Sequence, residues 1–346
     1  MDIKEKDADF KSAAELVKAM GIGWNLGNTL DPINSTKAKT DLDYETAWHN
    51  VRTTRELISF IKSEGFDTIR LPVTWINHID PESYTINKPW LERVREITEW
   101  CLDENLYVIL NLHHDEEWIN TASADYEGVM KRYKALWSQI AYEFGDYSHK
   151  LIFESMNEVE FKDVGEAKGC ELISRINAEF TSLIRKSGKR NADRYLLLAG
   201  YRTDIDITCG ESGFVLPNDD RITVSLHYYS PSEFAIANKK TSYGYQRTWG
   251  TEKDFEYLDG QMKKLKDRFI DKGIPVILGE YGCTLRDKDL DCRKLYLIKV
   301  AEYCLKYGIC PLLWDNGEEI DRINLRWRTE GLGEALREAK NKYVKY

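Results

Sequence analysis

The stretch Leu151-Ile152-Phe153-Glu154-Ser155-Met156-Asn157-Glu158 decides the fold. An apolar run of strand length gives way to a carboxylate, Glu158, and the same design recurs in Pro275-Val276-Ile277-Leu278-Gly279-Glu280. A charged carboxylate is rarely left where a buried strand surfaces unless something there uses it. Glu158 and Glu280 lie far apart in sequence, and they converge if both runs are strands of one barrel.

Outward from these two runs the pattern repeats. Short apolar runs at 22–26, 68–73, 107–112, 151–155, 195–199, 222–226, 275–279 and 310–314 read as strands, and amphipathic stretches at 52–64, 90–104, 128–143, 167–187, 254–272, 289–306 and 332–343 read as helices. Only the link between the fifth and sixth runs lacks a long helix. Alternating strand and helix implies parallel strands joined by right-handed crossovers, and eight such units close into an α/β (β/α)8 TIM barrel. The competitor is an open doubly wound sheet. Its Gly-rich phosphate loop is not matched by Gly21-Ile22-Gly23-Trp24-Asn25-Leu26-Gly27, which misses the third-glycine spacing. No linker or composition break divides the chain, so residues 1–346 read as a single domain with long βα loops, and the charged start, residues 1–10, reads as a poorly ordered segment.

Composition narrows the function. With 42% hydrophobic and 31% charged residues the chain is globular. Its net charge of −9 argues against nucleic acid, whose binding draws on Lys and Arg. No apolar run approaches the roughly 18 residues of a membrane span, and Met1 to Phe10 lacks the apolar core of a signal peptide. Seven cysteines show neither disulfide nor zinc spacing. The 10 Trp and 20 Tyr exceed what a core needs. Loops at 29–50, 114–127 and 229–253 carry Trp48, Trp118, Tyr126, Phe234, Tyr243, Tyr245 and Trp249, rings that either stack on flat sugar faces or pin the loops by packing.

Polar residues interrupt the runs at matching points: Arg70, His113-His114, Asn157-Glu158, His227-Tyr228-Tyr229, Glu280-Tyr281 and Trp314-Asp315-Asn316. Any one could be a satisfied core residue. Six together would make a costly core of buried charges, whereas two carboxylates at strand ends are what hydrolysis of a glycosidic bond requires. Ile69-Arg70-Leu71-Pro72-Val73, Asn111-Leu112-His113-His114, Met156-Asn157-Glu158, Ser225-Leu226-His227-Tyr228-Tyr229, Leu278-Gly279-Glu280-Tyr281 and Leu313-Trp314-Asp315-Asn316-Gly317 resemble the strand ends of glycoside hydrolase family 5, cellulase family A. Gly23-Trp24-Asn25-Leu26-Gly27-Asn28-Thr29-Leu30-Asp31 and Leu71-Pro72-Val73-Thr74-Trp75 resemble its endoglucanase and xyloglucanase branch.

The resemblance implies a retaining double displacement with Glu280 as nucleophile and Glu158 as general acid/base. It implies that Arg70 and the Tyr229 hydroxyl keep Glu280 ionised, while a neighbouring carboxylate and partial burial help Glu158 hold a proton. It places Asn157 on the sugar 2-hydroxyl, His227 beside Glu158, His113 in the sugar site, His114 in support, and Trp314 under the ring whose bond breaks. Asn28, Trp75 and His78 become candidates for contacts deeper in the cleft. Implied too are a β-1,4-glucan substrate (cellulose, mixed-linkage β-glucan, xyloglucan), xylan and mannan as alternatives, no cofactor, and a monomer. A polymer substrate is met outside the cell, so secretion is expected although the chain as written shows no leader. Two other readings compete. A metal-dependent hydrolase would use the cluster from His113 to Glu117, but adjacent histidines on a strand point to opposite faces. A non-catalytic carbohydrate-binding barrel should have lost one glutamate, and both are present.

Overall fold

In the computed structural model, which describes residues 12–344, side chains along each strand alternate between a helix-covered outer face and the barrel interior. The strands are β1 (Gly23–Leu26), β2 (Thr68–Leu71), β3 (Tyr107–Asn111), β4 (Leu151–Glu154), β5 (Leu196–Ala199), β6 (Ile222–Tyr228), β7 (Val276–Tyr281) and β8 (Cys310–Asp315). All pair in parallel with their sequence neighbours, and β1 pairs with β8 to close the barrel. The eight expected runs are these eight strands. The expected segment at residues 1–10 lies outside the described residues.

Helices α1 (Ala13–Ala19), α2 (Arg55–Ser63), α3 (Lys88–Asp103), α4 (Tyr126–Glu143), α5 (Glu166–Lys186), α6 (Ile205–Cys209), α7 (Glu252–Arg268), α8 (Leu290–Lys306) and α9 (Leu332–Tyr343) complete the frame. Their starts follow local chemistry: Thr54 accepts the Leu57 N–H, Asp289 the Cys292 N–H, and Thr251 with Asp254 forms a capping box. Between β5 and β6 no long helix stands, as the pattern anticipated: a 3-10 turn at Tyr201–Thr203 leads into the five-residue α6. Helix α1 had no counterpart among the expected elements. It closes the N-terminal end of the barrel, where Leu16, Val17 and Met20 pack on the inward residues Tyr107, Ile109, Ile152, Leu197, Ile277 and Leu312.

Alternation then fixes what lies above that apolar plug. Two residues past Ile109 comes Asn111, and two past Ile152 comes Glu154; at the same level stand Asn25, Arg70 and Ser225, all buried. A polar layer therefore sits between the plug and the C-terminal mouth. Strand β7 carries a register shift between Leu278 and Tyr281, and β6 carries one between Leu226 and His227, so that His227 and Glu280 stand side by side. A Cβ on Gly279 would meet Ser225 Oγ at 2.7 Å and His227 Nε2 at 3.1 Å, so a side chain here would displace the Ser225 bond to Glu154 or the His227 ring.

Several loop rings serve the fold. Phe234 and Trp249 are buried and pack against Tyr296, Trp118 is buried with its indole N–H on Asp115, and Arg175 lies 3.6 Å from the centre of the half-buried Tyr126 ring. For these four, packing wins over sugar stacking.

Candidate active site

The polar layer is organised by Arg70, whose planar fork bonds in four directions. Its Nε donates to Glu154 (2.7 Å), Nη1 to Glu280 (2.7 Å) and Asn25 Oδ1 (3.0 Å), and Nη2 to Asn157 Oδ1 (3.0 Å). Burial opposes the charge, but Glu154 and Glu280 outweigh it and raise the guanidinium pKa. Glu154 also accepts from Asn111 (3.0 Å) and Ser225 (2.7 Å), so both its oxygens are satisfied. This second buried carboxylate was missed by the sequence reading although it stands inside the opening stretch. Strand parity gives the signal: Glu154 follows the inward Ile152 by two.

Glu280 lies directly above. Besides Arg70 it receives the Tyr229 hydroxyl on Oε2 at 2.9 Å, and the His113 Nε2 and His227 Nδ1 atoms stand 4.0 and 3.7 Å away. Burial, then the charges of Glu280 and Glu158, push the Tyr229 pKa well up, so the phenol stays a neutral donor. His113 is held well below its usual value by burial and by the cations His114, Arg70 and His227, and is neutral. Its ring stacks on Trp314 at 5.6 Å and 10°.

Glu158 stands beyond β4 in the following loop, its side chain 44% exposed. His227 Nδ1 lies 2.7 Å from Oε1. A carboxylate oxygen from each of Glu158 and Glu280 and a ring nitrogen of His227 all lie within 4.8 Å of one another. The protonation pattern reverses the expectation. Burial works to raise the Glu158 pKa, but the His227 bond and charge, with Arg70 and His114, leave it lowered. Burial works to lower His227, but Glu280 and Glu158 leave it raised. Both directions favour the imidazolium–carboxylate form of the pair in the free protein.

That sharing has a pH consequence. The stability from raised His227 is present below its reference value of 6.5 and is lost as pH rises through the folded value. The stability from lowered Glu158 is present above 4.5 and is lost as pH falls through the folded value. The unfolding-midpoint gap between the native chain and Glu158→Gln is expected to be widest between those two pH values and to narrow on both sides. Thermal unfolding across pH measures this, and a gap that widens steadily above pH 6.5 would contradict it.

Around the carboxylates lies a hollow of about 360 Å³, with His113, Asn157, Tyr229 and Trp314 among its walls. A second hollow of about 390 Å³ adjoins it on the Glu158 side, bounded by Arg202, Thr203, Ile236 and Tyr257, and does not reach Glu280 or Trp314. Trp314 lies flat against Gly27, where a Cβ would come within 2.8 Å of its ring. His114 stands at the rim, hydrogen-bonded to Glu116 (3.1 Å) and 5.4 Å from the Trp48 ring. Burial opposes its charge, but Glu116, Asp31 and Glu280 raise its pKa.

Three sequence candidates are not brought to the cleft. Trp75 is fully buried, its indole N–H on Asn111 O at 2.9 Å. His78 is buried, stacked 3.8 Å over Trp90 and bonded to Asp41 at 2.7 Å. Asn28 occupies a positive-φ turn (54°), where its backbone bonds Asp31 and Asn50, and it lines neither hollow. The geometric objection to a metal also needs correction. Strand β3 ends at Asn111, so His113 and His114 sit in the loop with ring centroids 4.5 Å apart, and with Asp31 they place donor atoms within 4.8 Å of one another. Asp31, however, already accepts the Thr29 N–H on Oδ1 (2.6 Å) and the Asn28 N–H on Oδ2 (3.0 Å).

A family model described as Cellulase (glycosyl hydrolase family 5) matches residues 31–319. An endoglucanase A of Paenibacillus barcinonensis is 36% identical over 351 residues, spanning 91% of this chain and 85% of that one. A GH5-4 broad specificity endoglucanase from an uncultured bovine rumen ciliate has a similar structure, with a TM-score of 0.89 and 34% identity over 96% of this chain and 99% of that one. A mutant lichenase from Caldicellulosiruptor sp. F32, in complex with cellotetraose, has a TM-score of 0.90 and 30% identity over 98% and 97% of the two chains.

Proposed function

The chain belongs to glycosyl hydrolase family 5, and on that footing we propose how its cleft works as a retaining endo-β-1,4-glucanase on cellulose and mixed-linkage β-glucan. The observation that carries the mechanism is the approach of the two carboxylates, with oxygens of Glu158 and Glu280 within 4.8 Å. Retaining enzymes hold their carboxyl groups about 5–5.5 Å apart, while inverting enzymes leave room for a water.

Glu280 attacks the anomeric carbon. Arg70 and the Tyr229 hydroxyl bond its two oxygens (2.7 and 2.9 Å) and orient the anion. Glu158 protonates the leaving oxygen, then deprotonates the water that frees the glycosyl enzyme. Its proton comes from the pair with His227. A bound sugar chain covers the exposed face of Glu158, and that desolvation moves the proton from imidazolium to carboxylate. Asn157, with its Oδ1 fixed by Arg70, offers its amide N–H to the 2-hydroxyl, a bond that strengthens as oxocarbenium charge develops. Trp314, backed by neutral His113, forms the floor of the sugar site, and the hollow on the Glu158 side takes the leaving portion of the chain. His114 and Trp48 carry sugar contacts toward the opposite end. The protein acts as a monomer, and because its polymer is met outside the cell, it is secreted.

Barley β-glucan, carboxymethylcellulose, xyloglucan, xylan and glucomannan, compared by initial rate and product length, test the substrate assignment. β-Glucan and carboxymethylcellulose are expected to be fastest, with short oligosaccharides released from internal bonds. Fastest turnover of xylan or glucomannan would overturn it.

A further inference from the structure

Between β5 and α6, two adjacent residues other than glycine hold positive φ, Arg202 at 57° and Thr203 at 48°. For a β-branched side chain this is an outlier, and it persists only where its surroundings impose it. Here the Arg202 N–H donates to Val159 O (3.1 Å) and the Thr203 N–H to Gly200 O (3.0 Å). The buried Tyr201 hydroxyl accepts the Phe161 N–H (3.1 Å), tying this turn to the loop that carries Glu158. Asp204 follows and caps α6 through the Ile207 N–H at 2.8 Å.

The strained turn aims one side chain. Thr203, 1% exposed, puts Oγ1 3.5 Å from Glu158 Oε1 and 2.7 Å from Arg202 O. A hydroxyl has one proton, and the shorter contact takes it. The lone pairs then face Glu158, and a lone pair beside a carboxyl favours its protonated form. The other groups around Glu158 are His227 from β6, Glu280 from β7, Tyr229 beyond β6, Arg70 from β2 and His114 beyond β3. The three cations His227, Arg70 and His114 favour the anion, so Thr203 is a neutral counterweight on the acid's own oxygen.

We propose that Thr203 is a positioning residue for Glu158, favouring the protonated carboxyl once a sugar chain is bound and keeping it aimed at the leaving oxygen. The proposal rests on Glu158 being the acid/base. The test compares two aryl β-cellobiosides, one releasing phenol, which needs protonation to depart, and one releasing 2,4-dinitrophenolate, which does not. For Thr203→Val, kcat/KM on the phenyl substrate is expected to fall about tenfold while the dinitrophenyl substrate changes by less than about twofold. The basic limb of the phenyl pH profile should move to lower pH, and Thr203→Ser should restore both. Thr203→Gly relieves the backbone but lacks the hydroxyl, so it should behave as Thr203→Val does, and it keeps the test open where valine fails to fold. Equal losses on both substrates, full activity of Thr203→Gly, or no rescue by serine would overturn the proposal. Glu158→Ala, run alongside, separates the two claims: no leaving-group dependence there overturns the acid/base assignment itself, whereas dependence there but not in Thr203→Gly overturns only the role of Thr203.

Discussion

Glu280→Ala is expected to cut the rate on barley β-glucan by at least about 10⁴-fold while affinity for cellotetraose stays within about threefold. Among the described residues no other carboxylate is placed to replace Glu280 as the proposed nucleophile. Glu154 is locked below by Arg70, Asn111 and Ser225, and Glu158 is paired with His227 across the cleft. The proposed sugar contacts of Trp314, His113 and Asn157 are left in place by the substitution. The fold should survive, because Arg70 keeps Glu154 at 2.7 Å as a partner. Reducing-sugar release and calorimetric titration together check the expectation. A variant within tenfold of the native rate would show that another group attacks the sugar.

The largest effect on stability is expected from Arg70→Leu. The guanidinium and Glu154 side chains are fully buried and Glu280 nearly so. A buried ion pair is weak support for a fold when compared with an apolar replacement of the whole set, but removing one member strands the others. Leucine would leave buried Glu154 with no cation and Glu280 with only His227 at 3.7 Å, at a cost of about 3–5 kcal/mol. Glu280 would also lose the 2.7 Å donor that orients its attacking carboxylate. Activity should fall with stability, and urea unfolding beside kinetics on β-glucan would show it. Arg70→Lys is not expected to rescue, because an ammonium cannot reach Glu154, Glu280, Asn25 and Asn157 from one plane. An Arg70→Leu variant as stable as the native chain would contradict this account of the polar layer.

How much of this was legible beforehand follows from which signals are periodic. Apolar runs of strand length spaced by amphipathic helices are a global pattern, so the barrel and its eight strands could be read directly. The polar residues at the strand ends were legible for the same reason: Arg70, His227 and Glu280 interrupt apolar strands, and Glu158 and Tyr229 follow just beyond β4 and β6. Periodicity fails where the chain leaves the strand. His113 and His114 follow the end of β3 at Asn111 and no longer alternate, so a parity argument gave them opposite faces when their rings are neighbours. Trp75 and His78 belong to the segment after β2, and motif position alone could not separate a cleft ring from a buried one. Helix α1 hid because seven residues make too short a periodic signal before the first strand. The Glu158 proton was misjudged for another reason. His227 was expected beside Glu158, but only burial and a neighbouring carboxylate were weighed for the proton, and the imidazole 2.7 Å away was not counted as a competing base.

The most direct test of Glu280 as the attacking group is to trap the intermediate it would form. A 2,4-dinitrophenyl 2-deoxy-2-fluoro-β-cellobioside forms the glycosyl enzyme but slows its hydrolysis, because the fluorine withdraws charge from the oxocarbenium-like transition state. Mass spectrometry of the intact protein should show one added fluorocellobiosyl unit, and peptide mapping should place it on Glu280. A label on any other residue would contradict the account, as would a protein turning over ordinary substrate that releases the α-anomer first.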